Sequence, residues 1–154
     1  MEIYMDTRDE NEIVDFLILA KRNTYAAVKN QTVSSRKNSH DFCYEKDGFT
    51  YYDSYLGGKC FAGEEAVWRY DSPIWSMNYT GRVVGENFDG GFLKEALMAV
   101  PKELPCRGPE IYTKGDYQYR CRVDGSFEWF QGYEEIFYGS EKIYECYFHG
   151  GVVA

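Results

Sequence analysis

Carboxylate and imidazole side chains occur among aromatic residues between positions 116 and 149. Glu128, Glu134, Glu145 and His149 stand in runs rich in Tyr, Phe and Ile, which are typical of β-strands. An unpaired charge is costly to bury in such strands, so a functional site is one reason for these residues to be there. Two nearby carboxylates can act as an acid and a base or bind a hard metal ion, and a histidine titrates near neutral pH.

Two turn signals predict how these strands pair. Asp124-Gly125 and Gly139-Ser140 are typical of two-residue hairpin turns. Such turns place Glu134 opposite Glu145, and because side chains alternate between the faces of a sheet, one face is predicted to carry the whole set. The candidate ligand-binding residues on that face are Tyr119, Glu128, Phe130, Glu134, Glu145, Tyr147 and His149.

The predicted Glu134–Glu145 pair has two interpretations. Like charges directly opposite each other destabilise a sheet unless a cation or a shared proton intervenes, which indicates a binding or catalytic site. The alternative is that both glutamates are structural and pair with arginine or lysine at a hydrated sheet face, since structural ion pairs far outnumber sites. The first interpretation depends on register, because a β-bulge at Gly132 would move all later side chains to the other face.

Helical periodicity predicts two elements that cover the sheet. Residues 8–22 follow a capping-box pattern at positions 7–10 and have apolar side chains on one helical stripe. Residues 89–100 show the same spacing, and Pro101 ends that helix. The Pro-rich segment PKELPCRGPE that follows is predicted to cross over on the surface.

Strand-like alternation begins after a polar stretch. Residues 29–40 contain one large aliphatic residue, Val33, and are predicted to form a mobile loop. FTYYDSYL, KCFAGEEAVWRY and PIWSMNYTGRVV predict three strands in a meander, and four more strands follow between residues 109 and 149. The order helix, three strands, helix, four strands indicates a single α+β domain, residues 1–154, with an antiparallel sheet of six to eight strands.

Composition restricts the classes of function. The 154-residue chain has a formal net charge of -8 and contains 15 Tyr, 10 Phe and 3 Trp. This acidity disfavours nucleic-acid binding by the chain alone. No apolar run approaches the length of a membrane span, and the first apolar stretch follows acidic residues rather than the basic residues of a secretory signal. The many aromatic rings are expected to lie half-exposed on sheet faces, in a groove or at an interface.

The cysteines and histidines indicate a reducing compartment and no metal site. Five cysteines are an odd number, and their spacing matches neither a C-x-x-C motif nor a zinc knuckle. We therefore expect five free thiols and a cytoplasmic location. With only two histidines, a histidine-rich metal site is excluded, and we predict neither a metal nor a cofactor.

Long stretches of the chain are similar to a known family. SSRKNSHDF, YYDSYLGGKCFAGEEAVW, IWSMNYTGRV, FLKEALMAVPKELPCRGPEIY and FEWFQGYEEIFYGSEKIYECYFHGG together resemble a bacterial domain family of unknown function, from about Ile13 to Gly151. Members of that family occur alone or behind an XRE-type helix-turn-helix. The resemblance implies a sensing or effector-binding module associated with transcription regulation, and it implies no catalytic residues.

We therefore expect a non-enzymatic domain that binds a small molecule or a protein in an aromatic groove. One alternative is a small hydrolase or isomerase that uses Glu128, Glu134, Glu145 and His149. Another is a protein-interaction module that forms homodimers through aromatic faces. A closed pocket favours ligand binding, a converging carboxylate–histidine cluster favours the enzyme, and a large apolar patch at a twofold axis favours the dimer.

Overall fold

A computed structural model of the chain describes residues 5–24, 30–103 and 105–154. These residues form two helices and nine strands. In chain order the elements are α1 (Thr7–Thr24), β1 (Gln31–Thr32), β2 (His40–Lys46), β3 (Phe49–Gly57), β4 (Cys60–Arg69), β5 (Ser72–Val83), α2 (Gly90–Met98), β6 (Ile111–Lys114), β7 (Tyr117–Ser126), β8 (Trp129–Tyr138) and β9 (Glu141–Val152).

The nine strands form one antiparallel sheet in the order β1-β2-β3-β4-β5-β9-β8-β7-β6. Two meanders, β1 to β5 and β6 to β9, meet where β5 pairs with β9. The α+β class is as expected, but the prediction of six to eight strands is wrong. The prediction missed β1 and β2, because β1 has only two polar residues and β2 begins with His40 and Asp41, so neither starts with the apolar alternation of a strand.

Both predicted helices are present, with bounds that differ by one or two residues. Asp6, rather than Thr7, caps α1, since its Oδ1 accepts a hydrogen bond from the Arg8 amide at 3.3 Å. Asp89 caps α2 in the same way and accepts from the Gly91 amide at 2.8 Å. These carboxylates satisfy amides that have no partner within the helix. Neither described helix is long and apolar enough to cross a membrane.

Both helices pack on the same face of the sheet, which we call the inner face. Phe16 of α1 stacks on Phe49, with ring centroids 5.0 Å apart, and Phe92 of α2 stacks on Tyr117 at 5.1 Å. Burial of this apolar surface is the main force that holds the helices on the sheet. The inner face carries these side chains, each at most 2% exposed: Tyr51, Val67, Trp75, Met77, Tyr119, Ile136, Tyr144 and Phe148.

A buried aspartate on the opposite, outer face holds the polar stretch after α1. Asp41 accepts hydrogen bonds from the Ser35 amide at 2.9 Å and from the hydroxyls of Tyr52 and Ser54, each at 2.8 Å. Burial acts to raise the pKa of Asp41, but hydrogen bonds from Ser35, Ser39 and Tyr52 hold it well below its ordinary value. Residue 29 of the predicted loop lies outside the described residues, and the mobility of residues 30–40 stays a prediction.

Candidate functional site

The β7–β8 hairpin turns later than the sequence predicts. Ser126 pairs with Trp129, so the turn lies at Phe127-Glu128 rather than at Asp124-Gly125. The pairing therefore shifts by an even number of residues. Because side chains alternate with a period of two, an even shift leaves each residue of β7 and β8 on its predicted face.

The β8–β9 hairpin begins in the predicted register and then departs from it. Tyr138 pairs with Glu141 as expected, but Ile136 pairs with Tyr144, so Ile143 is an extra residue in β9. Such a bulge moves all later residues of the strand to the other face. The register changes here and not at Gly132, where the sequence reasoning placed the risk.

The prediction that seven site residues share one face is therefore wrong. Three of them are buried on the inner face: Tyr119, Phe130 and Glu134. Three lie on the outer face: Glu145, Tyr147 and His149. Glu128 lies in the β7–β8 turn and accepts a hydrogen bond from the Met5 amide at 3.2 Å. No single site can include both sets, and ligand contact by any one of these residues stays a prediction.

Glu134 is a fully buried carboxylate in an ion pair. Arg107 donates to its Oε1 from Nε at 3.1 Å and from Nη2 at 2.5 Å, Tyr144 donates to Oε1 at 2.8 Å, and Tyr119 donates to Oε2. Burial acts to raise the pKa of Glu134, but the charge of Arg107 together with hydrogen bonds from Arg107, Tyr119 and Tyr144 outweighs burial, so the pKa lies below its ordinary value. Glu134 is thus a structural partner of an arginine, in the core rather than at a hydrated face.

The arginine of this pair comes from the Pro-rich segment that was predicted to lie on the surface. Cys106 and Arg107 are only 2% and 4% exposed. The Gly108 amide donates to the Tyr119 hydroxyl at 3.0 Å, and the guanidinium lies 5.1 Å from the centre of the Tyr79 ring. The segment enters the core because its charge and its amide both find buried partners there.

Glu145 lies in an ion-pair network on the outer face. Arg82 Nη2 and Lys142 Nζ are 2.7 and 3.0 Å from its two oxygens, and the Tyr133 hydroxyl donates to it at 3.2 Å. Hydrogen bonds from Lys142 and Arg82 lower the pKa of Glu145 to about 2. The residue opposite it on β8 is Glu135, so two cations offset a like-charge pair that differs from the predicted one.

A second buried ion pair joins α1 to the sheet. Lys21 Nζ lies 3.4 and 3.5 Å from the two carboxylate oxygens of Glu65, and it also donates to the backbone carbonyl of Cys106. The Tyr51 hydroxyl donates to Oε1 of the same carboxylate. Lys21 follows Leu17 by four residues, so it lies on the apolar stripe of α1, and helix packing carries it into the core.

Asp53 is the third buried carboxyl of the inner face. It pairs in register with Glu65 of β4, and the Tyr79 hydroxyl donates to its Oδ1 at 2.6 Å. In the described part of the chain, no lysine or arginine lies within ion-pair distance of it. Burial and the Glu65 carboxylate raise the pKa of Asp53 to about 7, although Tyr79, Arg107 and Lys21 act in the opposite direction.

The second carboxyl oxygen of Asp53 is accessible from a cavity. No described residue donates a hydrogen bond to Oδ2. Every side-chain oxygen of the described residues that lacks a hydrogen-bond partner keeps some contact with solvent, so Oδ2 does as well. The ring of Tyr79 lies over Gly63, where a Cβ atom would be 2.5 Å from the Tyr79 hydroxyl. Gly63 therefore provides the space that lets Tyr79 reach Asp53.

The cavity is a cleft between the inner face and α2, with a volume of about 520 Å³, and we call it the inner cleft. This volume lies within the range of small-molecule sites. Apolar side chains line most of it: Phe42, Tyr55, Phe61, Phe88, Leu93 and Leu97. Polar side chains complete it: Thr24, Gln31, His40, Asp53, Tyr79, Lys94 and Arg107. Depressions of similar volume on the outer face do not reach a buried carboxyl that lacks a counter-ion.

Sequence reasoning missed Lys21, Asp53, Glu65 and Arg107. One signal was available, since Asp53 shares a face with Tyr51 and alternates with aromatic residues, as the acidic residues of 116–149 do. No local pattern indicates the two cations, because their partners are far away in the sequence. No group of three or more His, Cys, Asp or Glu side chains within residues 5–24, 30–103 and 105–154 could hold a metal ion.

The matched family model spans most of these residues. Residues 53–153 match a model described as a domain of unknown function, DUF5680. The matched range includes Asp53, Glu65, Arg107 and Glu134, whereas Lys21 precedes it. No curated protein and no solved structure matches the chain significantly. The chain belongs to the DUF5680 family of domains of unknown function.

Proposed function

We propose that the domain binds a small organic molecule in the inner cleft and does not transform it. The observation that carries this proposal is Asp53, a buried carboxyl with no counter-ion among the described residues, which lines a cleft with aromatic walls. An ionisable group in such a place is costly for the fold, and groups of this kind cluster at functional sites. The cleft volume suits a ligand the size of a metabolite.

A regulatory role forms part of the proposal. A ligand at Asp53 would lie beside Arg107, which anchors the Pro-rich segment, and near the Lys21–Glu65 pair, which anchors α1. Ligand binding would thus act on the contacts that hold α1 and the Pro-rich segment on the sheet. The resemblance to domains fused behind XRE-type helix-turn-helix units supports a sensing function by analogy.

A thermal-shift screen of metabolites tests the binding proposal, because a ligand that binds only the native state raises the melting temperature. Gly58→Trp should block the cleft, since Gly58 lines it and a side chain there meets open space. Ile111→Trp is the matched control, since Ile111 is 62% exposed and lies outside the cleft. We expect at least one compound to shift wild type and Ile111→Trp but not Gly58→Trp. Equal shifts in all three proteins, or none in wild type, would contradict the proposal.

A second candidate function is a hydrolase or isomerase that uses Asp53 and His40. Both residues line the cleft, and a carboxyl whose pKa is about 7 is suited to general acid–base catalysis at neutral pH. Incubation of each binding compound with the protein, followed by mass spectrometry, separates the two functions. Unchanged compound supports a binding domain, whereas conversion that Asp53→Asn abolishes supports an enzyme.

A further inference from the structure

We propose that the ligand of the inner cleft is a small aromatic cation, an amine or a quaternary ammonium compound, whose charged group pairs with the carboxylate of Asp53. This inference rests on the proposed binding function and names the ligand class. It follows from the charges around Asp53, the chemistry of the cleft wall and the accessible Oδ2 atom.

Among the residues that the structure describes, the buried charges of the inner face leave one carboxylate without a counter-ion. Lys21 neutralises Glu65, and Arg107 neutralises Glu134 with two hydrogen bonds. Of the described groups, the Tyr79 hydroxyl is the one that donates to Asp53, on Oδ1, and Oδ2 is accessible from the cleft. When all of these groups are ionised, the cluster carries one excess negative charge, which a bound monocation would balance.

An anionic ligand would meet two unfavourable conditions. It would lie next to Asp53 and close to Glu65, the carboxyl directly opposite on β4. The Nε and Nη2 atoms of Arg107 already donate to Glu134, so this pair of N–H donors is not available for a bidentate contact with a ligand carboxylate. A neutral ligand would leave Asp53 to be neutralised by a proton instead.

The cleft wall is suited to an aromatic cation. The rings of Phe42, Tyr55, Phe61 and Phe88 line the cleft, and Phe42 and Tyr55 are stacked with centroids 6.5 Å apart. Aromatic rings attract organic cations through their negative faces and provide apolar contact area for the rest of the ligand. The wall and Asp53 together match a ligand with a ring at one end and a positive charge at the other.

Binding of such a cation should release a proton from Asp53, so affinity should rise as the pH rises through neutrality. Among the described residues, the charged or titratable groups around Asp53 are Glu65 of β4, Lys21 of α1, Arg107, His40 of β2, Lys94 of α2, and the hydroxyls of Tyr55 and Tyr79. His40 also lines the cleft, so it needs its own control. His40→Gln should keep the pH dependence, and Asp53→Asn should remove it.

Calorimetric titration with three probes of one shape tests the ligand class: naphthylmethylamine, naphthylmethanol and naphthoate. We expect wild type to bind the amine about tenfold or more tightly than the other two probes. Asp53→Asn should lose that preference. Asp41→Asn, a matched change at the buried aspartate of the outer face, should keep it.

Three results would overturn the inference: binding of none of the probes, tighter binding of the alcohol or the carboxylate, or equal amine binding by Asp53→Asn. The failure of the inference is distinguishable from failure of the proposed function. If wild type binds the alcohol or the carboxylate best and Gly58→Trp abolishes this, the cleft is a binding site and only the ligand class is wrong. If no probe and no screened compound binds, both proposals fail.

Discussion

Asp53 and Glu65 face each other on neighbouring strands of the inner face, with their Cα atoms in register. Both carboxyls are buried, yet only Glu65 has a cation, Lys21, within ion-pair distance among the described residues. Like charges directly opposite each other destabilise a sheet, and Lys21 already balances the charge of Glu65. A proton on Asp53 is therefore the arrangement of lowest free energy, because it removes the repulsion between the two carboxylates. The charge of the cleft should therefore become more negative as the pH rises and Asp53 loses its proton.

The first prediction concerns the pH dependence of stability. The pKa of Asp53 is about 7 in the folded chain and about 3.9 in an unfolded chain. Between these values the folded state binds more protons, so Asp53 lowers the free energy of unfolding as pH rises. Asp53→Asn should therefore match wild type at about pH 4 and be a few kcal/mol more stable at about pH 8. Urea unfolding at both pH values measures the difference.

Asp41→Asn is the control with the opposite sign. Hydrogen bonds hold the pKa of Asp41 well below its ordinary value, so its carboxylate stabilises the fold above the unfolded pKa. This variant should lose stability at neutral pH, and the loss should shrink as the pH falls below about 4. Parallel pH profiles for wild type and Asp53→Asn would contradict the arrangement described for Asp53.

The second prediction tests the buried Arg107–Glu134 pair. Glu134→Gln removes the carboxylate that pairs with the buried guanidinium of Arg107, which should cost about 3–5 kcal/mol of unfolding free energy. Glu135→Gln on the outer face is the matched control, because Glu135 faces Glu145 and forms no ion pair with any described residue. That variant should change stability little. Chemical denaturation measures both, and equal effects would show that the Glu134 charge is not structural.

A third prediction concerns Glu145, whose pKa Lys142 and Arg82 lower to about 2. A lowered carboxyl pKa means stability that is present above the unfolded pKa and lost as the pH falls through the folded value. Glu145→Gln should therefore destabilise the protein at neutral pH, by less than Glu134→Gln because the network is partly exposed. The difference from wild type should disappear between about pH 4 and about pH 2. A loss that is unchanged at acid pH would exclude this explanation.

The fourth prediction concerns the five cysteines, all of which are free thiols in the structure. Cys60 is exposed and should react first with a thiol reagent. Burial raises the pKa of Cys106, Cys121 and Cys146 to about 12, so these three should react only after unfolding, since the thiolate is the nucleophile. Titration in denaturant without reductant should count five thiols. A lower count would show a disulfide or an oxidised species.

The fifth prediction concerns amide exchange in residues 30–40. This stretch has little apolar surface to bury, so those of its amides that donate no hydrogen bond within the fold should exchange quickly. The Ser35 amide should be slower, because it donates to the buried carboxylate of Asp41, and Asp41→Asn should weaken that protection. Hydrogen exchange followed by NMR resolves single amides. Uniform slow exchange across the stretch would contradict the predicted mobility.

The sequence by itself determined the elements whose signal is local. Helical spacing predicted α1 and α2, and strand alternation predicted the faces of Tyr119 and Glu134 in β7 and β8. These predictions hold because the period of side-chain directions depends only on local backbone geometry. Even a wrong turn position left them intact, since the shift in pairing was an even number of residues.

The tertiary structure decided which of these residues meet. One extra residue at Ile143 reversed the face of every later residue of β9, and no residue type in the sequence marks that bulge. The partners in the buried cluster are equally distant in the chain: Lys21 and Glu65 are 44 residues apart, and Arg107 and Glu134 are 27 apart. The period of side-chain directions and the residue types of turns carry information only about neighbours along the chain. The two ion pairs form because packing brings α1 and the Pro-rich segment onto the inner face. Asp53 faces Glu65 across the β3–β4 hairpin, whereas the cleft beside Asp53 forms because α2 packs on the inner face.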